Sequence, residues 1–165
     1  MTKALSLFLA AGLLWPAAAS AQSADVTIPA AIAFGASVET MNQRLAPLCD
    51  EAPVRTIDPP FLPDVQTIQQ QIDCRGFDYM GEPRLAEFVF RDDALQMVWI
   101  LVDADDQERV IAAMREAYGE DGLTTDAVIA FREHRTAWRF EPPEILFFSE
   151  ELRPAMERFL TPPAQ

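Results

Sequence analysis

The 165-residue chain carries 13 Lys+Arg against 26 Asp+Glu, a formal charge of −13, and half of its residues are hydrophobic. That length suits one domain, and the apolar share argues against wholesale disorder. The acidity argues against a nucleic-acid partner, which needs a basic face, and against attraction to an anionic membrane surface.

Residues 1–21 read as a secretory signal. Lys3 and the terminal amine supply positive charge, and Ala4 to Trp15 is an apolar run broken only by Ser6 and Gly12. Pro16 ends the run, and Ala19-Ser20-Ala21 offers a small-residue cleavage site before Gln22. A run of about 12 residues is short of the ~20 that span a bilayer, so no stable membrane anchor is expected after cleavage. The expected product is a soluble periplasmic or secreted chain, Gln22–Gln165, in which residues 22–36 form a mobile lead-in and 37–165 a single α+β domain. Cleavage removes Lys3, the only lysine, and leaves 12 Arg against 26 acids, a charge of −14. A lysine nucleophile or a phosphate-loop lysine is then impossible.

Cys49 and Cys74 are the only cysteines. An even count in an exported chain points to a disulfide, and one pairing is available. It would close a ring holding Pro53, Pro59, Pro60 and Pro63, contributing ~3 kcal/mol by loop entropy. Two buried free thiols or a reactive cysteine are the rival readings. Two Cys and one distant His do not make a closed zinc shell, and no C-x-x-C is present.

Ser37 can cap a first helix, whose apolar stripe is Val38, Met41, Leu45 and Leu48 and which Pro47 ends or distorts. Residues 50–66 read as proline-rich loop. Three strands follow. Ile68, Gln70, Ile72 and Cys74 alternate with Gln69, Gln71 and Asp73. Arg84–Phe90 sets Ala86, Phe88 and Phe90 against Leu85, Glu87 and Val89. Asp92-Asp93 turns the chain into Leu95–Val102, which is apolar on both faces near Val98–Val102 and therefore central and covered. Asp105 can cap a second helix, with Glu108 in capping-box position and Gly119 as its stop. Asp121–Thr125 reads as a turn. Ala127–Phe131 and Thr136–Phe140 read as a hairpin around Glu133-His134-Arg135, and Glu144–Phe148 as a further strand. Ser149 can cap a last short helix with Leu152, Met156, Phe159 and Leu160. The order, helix, three strands, helix, three strands and short helix, predicts an antiparallel sheet with helices packed on one face. The same order allows two copies of an α-β-β-β unit, although the halves share too little sequence to be called a repeat.

The stretch Gln70-Gln-Ile-Asp-Cys-Arg-Gly-Phe77, with Arg84–Phe90 and Val98-Trp-Ile-Leu101, resembles a group of small, exported, uncharacterised bacterial proteins. The likeness covers roughly residues 66–119 and implies no activity. The helix-then-three-strands order is also similar to the repeated architecture of the beta-lactamase inhibitor protein. No inhibitor motif is matched, so no residue role carries over.

The inventory of chemistry is mostly negative. Asp103, Asp105, Asp106 and Glu108 form the densest acidic cluster, but a calcium loop needs a central glycine and a twelfth-position carboxylate, where Glu108 and Met114 stand. A helix start that favours negative charge explains the cluster. His134, the only histidine, sits in a turn between charges, and no serine lies in a G-x-S-x-G elbow. Glu87 interrupts an apolar strand and is the foremost carboxylate candidate, with Asp73 next. Either can face water or pair with Arg75, Arg84 or Arg91. Among Phe77, Tyr79, Trp99, Trp138 and Phe140 most belong to the core, but a part-exposed Tyr79 with Trp138 would form a contact patch. Arg132, Arg135 and Arg139 could hold an anionic ligand, with internal ion pairs as the competing use.

With no cofactor loop, metal set or nucleophile motif, the reading is a binding or accessory protein without cofactor. Its partner would be a protein or a cell-envelope component. A hydrolase or lyase using carboxylates and arginines, and a structural envelope component, are the alternatives.

Overall fold

The computed structural model describes residues 26–160. The expected signal and its cleavage site lie outside these, as do residues 22–25. Three helices, α1 (Val38–Leu45), α2 (Gln107–Tyr118) and α3 (Arg153–Leu160), accompany eight strands. The strands are β1 (Val54–Thr56), β2 (Gln69–Tyr79), β3 (Glu82–Arg91), β4 (Ala94–Leu101), β5 (Leu123–Thr124), β6 (Val128–Phe131), β7 (Thr136–Arg139) and β8 (Glu144–Phe148). They form one sheet in the order β1-β2-β3-β4-β8-β7-β6-β5, with every neighbour antiparallel. This is the expected α+β architecture.

Each half of the chain is a helix followed by a meander, and the meanders meet at β4 and β8 between Met97↔Phe148 and Leu101↔Glu144. The unit has four strands rather than the expected three. The additional members are the short edge strands β1 and β5, in stretches that read as loop and turn. Proline confines β1 to the edge, because Pro53 and Pro59 flank it and neither can donate to a ladder.

Alternation along the strands sends two separate cores to the two faces. On the first face Ile72, Phe88, Phe90, Ile100, Trp138, Ile145 and Phe147 are fully buried, under Met41 and Leu45 of α1 and Val110 and Met114 of α2. Ser37 caps α1 as expected, its Oγ accepting from the Thr40 N–H at 3.2 Å. Residues 26–36 close this face instead of forming a mobile lead-in. Val26 is buried, and its carbonyl accepts from the hydroxyls of Tyr79 at 3.0 Å and Tyr118 at 2.7 Å. Two such bonds fix the segment because a buried carbonyl without them would be costly.

The second face carries Val89, Met97, Trp99, Leu146 and Phe148. Here α3 departs from the expected single-face packing and lays Met156 and Leu160 against the sheet, with Leu152 just before the helix. Ser149 precedes it in the capping role the sequence suggested, accepting from the Leu152 N–H at 3.0 Å. Asp105 does not cap α2. It lies in a 3-10 turn (Ala104–Asp106), and the residue before the helix, Asp106, makes no side-chain cap bond. The Asp106 carboxylate is engaged instead by buried Arg84 and by Arg109.

Cys49 and Cys74 form the disulfide, with Cα atoms 5.3 Å apart. It ties the end of α1 to β2, where the Asp50 N–H also donates to the Arg75 carbonyl at 2.8 Å. Gly76 is required beside it. Its φ is +77°, and a Cβ there would lie 2.4 Å from an Asp50 oxygen.

Candidate functional site

The second face is covered at its flank and open in the middle. A cleft of about 560 Å³ lies between α3, the proline-rich stretch after β1 and the sheet. Its walls are apolar: Ile57, Phe61 and Leu62 from the loop, Ala155, Met156 and Phe159 from α3, and Met97 and Trp99 from β4. Phe61 and Phe159 stand at its rim, 57% and 65% exposed.

The loop wall is pinned at both ends. The buried Gln69 side-chain oxygen accepts from the N–H groups of Phe61 at 3.0 Å and Leu62 at 2.8 Å. Farther on, the Asp92 carboxylate accepts from the N–H groups of Gln66, Thr67 and Ile68 and from the Thr67 hydroxyl. Those donors hold the Asp92 carboxyl well below the usual carboxylate range. The Asp92-Asp93 turn therefore does more than reverse the chain, since it also anchors a cleft wall.

The sheet contributes a polar row. Asp73 (β2) is the register partner of Glu87 (β3), which is the partner of Trp99 (β4), so all three share the open face. Glu144 (β8) and Arg139 (β7) face each other two register pairs farther along, on the same face. Arg55 reaches in from β1, its Nε 2.8 Å from Asp73 and its Nη2 3.9 Å from Glu87. Gln71 donates to Asp73 at 2.6 Å. Arg139 pairs with Glu144 and lays its guanidinium 4.4 Å from the centre of the Trp99 ring. That stacking holds the cation over an electron-rich face.

Both glutamates sit where ionisation is disfavoured. Glu144 is buried, and desolvation, helped by the nearby Glu87 charge, pushes its carboxyl up to about 7 against the pull of Arg139. Burial also raises Glu87, and Asp73 adds to the effect, while Arg55 opposes it. A raised carboxyl beside guanidinium groups can exchange a proton or receive a counter-ion near neutral pH.

No family model, curated protein or solved structure matches the chain.

The sequence-expected site residues fall in several places. Glu87 lines the cleft with Asp73 beside it on the same face, and their cation is Arg55. Arg75, Arg84 and Arg91 are committed to Glu51, Asp106 and Glu151. Tyr79 and Trp138 form no contact patch. Both point into the first core, Tyr79 bonded to the Val26 carbonyl and Trp138 edge-on to Phe140. The three arginines separate as well. Arg132 is exposed in a 3-10 turn (Arg132–His134). Arg135, at a positive φ of 53°, is 5.7 Å from the Phe34 ring centre and 3.7 Å from Glu150. Arg139 alone reaches the cleft. His134 is exposed and stacks on Tyr118 at 4.8 Å.

Sequence reasoning missed Arg55, Glu144 and the two rim phenylalanines. Arg55 lay hidden in a stretch read as loop. Glu144 had a usable signal, since Arg139 and Glu144 are opposite charges flanking a short proline turn and a hairpin sets them face to face. Phe61 had none, because its position depends on Gln69 holding the loop.

Proposed function

We propose that the protein is an exported binding protein of the periplasm or extracellular space. Its cleft holds an amphipathic component of the cell envelope, with an apolar body and a polar end. The observation that carries this reading is the cleft itself, with apolar walls, two exposed aromatic rims and a charged row at the sheet. Its volume is in the range of small-molecule sites, and its mix of apolar lining with a few placed polar groups is the usual composition of such sites. The apolar leader and the disulfide support the exported location. Among the described residues no helix is long and apolar enough to cross a membrane.

The test is titration with the neutral fluorophore N-phenyl-1-naphthylamine. Saturable binding is expected, and it should be lost in Ala155→Trp, which fills the cleft from α3. Binding that survives this change would overturn the reading.

A second reading, hydrolysis or a lyase reaction, is favoured by one observation. Glu144 is held near neutrality with Glu87 close enough to raise it, as an acid–base pair requires. Turnover in an ester and glycoside panel, abolished by Glu144→Gln, would establish it.

A further inference from the structure

The charged groups that line the cleft are two guanidiniums, Arg55 and Arg139, and one carboxylate, Glu87. Asp73 and Glu144 lie outside the lining, and each holds one side of a guanidinium. The Nε of Arg55 is 2.8 Å from Asp73, and the Nη2 of Arg139 pairs with Glu144. Neither fork is filled by that partner. The Nη2 of Arg55 is 3.9 Å from Glu87, beyond hydrogen-bond range, and its side chain is half exposed. The Nε of Arg139 is buried with no acceptor among the described residues, while a third of the side chain stays open. An arginine carries five N–H donors, and a buried donor without a partner is a standing cost. Glu87 is a poor counter-charge for them, because burial disfavours its ionisation and Gln71 already donates to it.

Resting on the cleft reading above, we propose that the polar end of the ligand is an anion. The occupant is a single-chain monocarboxylate, such as a medium-chain fatty acid, whose carboxylate lies between Arg55 and Arg139 while its chain runs between Met156 and Phe61. Guanidinium forks match a carboxylate in shape and in charge. The Trp99 ring, 4.4 Å from the Arg139 guanidinium, holds that fork in place before the ligand arrives. Burial of Glu87 favours its neutral form, and a neutral Glu87 neither repels the head nor competes for the two cations. The formal charge of the chain, −13, repels anions at long range, but physiological salt screens it beyond ~8 Å, so the groups at the cleft decide. A cationic head would meet a single carboxylate beside two guanidinium groups.

Three matched probes test this by calorimetry: octanoate, 1-octanol and octylamine, which share a chain and differ in charge. Octanoate is expected to bind about tenfold or more tightly than octanol, the scale of one charge-assisted hydrogen bond, and to displace N-phenyl-1-naphthylamine. Octylamine is expected to bind most weakly. Arg55→Gln and Arg139→Lys should each cut octanoate affinity about tenfold, with thermal melts checking that the variants fold. Glu87→Gln should leave octanoate bound at least as tightly, an outcome that general damage to the charged row would not give. Equal affinity for octanoate and octanol, preference for octylamine, octanoate bound without displacing the fluorophore, an octanoate advantage that survives both arginine changes, or weakening by Glu87→Gln each overturns the anion assignment while leaving the cleft reading standing. If the fluorophore binds and none of the three probes does, the anion assignment fails alone. If the fluorophore is not bound either, the cleft reading fails with it.

Discussion

The two faces of the sheet are built from the same strands and solve opposite problems. The face under α1, α2 and residues 26–36 is apolar and closed, with its largest rings fully buried. The other face has a single helix and a pinned loop for cover, and it keeps a row of charges beside an open cleft. A strand with alternating side chains can thus hold the fold together on one side and present chemistry on the other. On the proposed function, stability and binding are then separable by face.

That separation can be tested by substitution, and the largest effect belongs to the closed face. Trp138→Ala should cost ~3–5 kcal/mol in denaturant unfolding, because its cavity lies among residues that cannot collapse into it. A loss under ~1 kcal/mol would mean that this face is not the structural one. Next comes the disulfide. Replacing Cys49 and Cys74 by serine should cost ~3 kcal/mol and also weaken cleft binding, since the ring they close contains the loop wall. Unchanged binding in that variant would show that Gln69 and Asp92 alone hold the wall.

The open face should show itself through pH. The folded-state pKa of Glu144 lies near 7, above the ordinary value of 4.5. Below about pH 4.5 the group is protonated in both folded and unfolded chains, so burial costs nothing extra. Between about 4.5 and 7 the unfolded chain ionises and the folded chain does not, so stability falls as pH rises, by at most about 3 kcal/mol. Glu87 acts in the same direction. The depressed carboxyls of Asp106 and Glu150 act below that window and lose their contribution as pH falls. Thermal melts at pH 5 and pH 8 should therefore favour pH 5, and Glu144→Gln should flatten the difference. The smallest effect is expected at the rim. Phe159→Ser should change stability by less than ~0.5 kcal/mol, since the ring is mostly exposed, and yet weaken fluorophore binding.

The strands were legible wherever alternation or turn residues spoke locally. Ile72 and Cys74 against Gln71 and Asp73 announced two faces, and β4, apolar on both, announced its central place. The disulfide followed from compartment and count. What could not be read was anything set by distant partners. The β1 strand is three exposed residues between prolines, and it exists because β2 offers it an edge. The charged row was half visible. Glu87 and Asp73 stood out against their neighbours, but Arg55 gave no sign that it would answer them. For Tyr79 and Trp138 the sequence favours the core and allows a contact patch, because aromatic residues suit interfaces as well as cores, and only the covering helices decide between the two.

The carbonyl of Val26 has a temporal consequence. Its two hydroxyl partners lie 53 and 92 residues downstream. On a growing chain, the segment that emerges early must wait for Tyr118 before it can dock, and contacts of such long sequence separation form slowly. The segment is therefore seated only once both tyrosines are in place, and until then its part of the closed face stands uncovered.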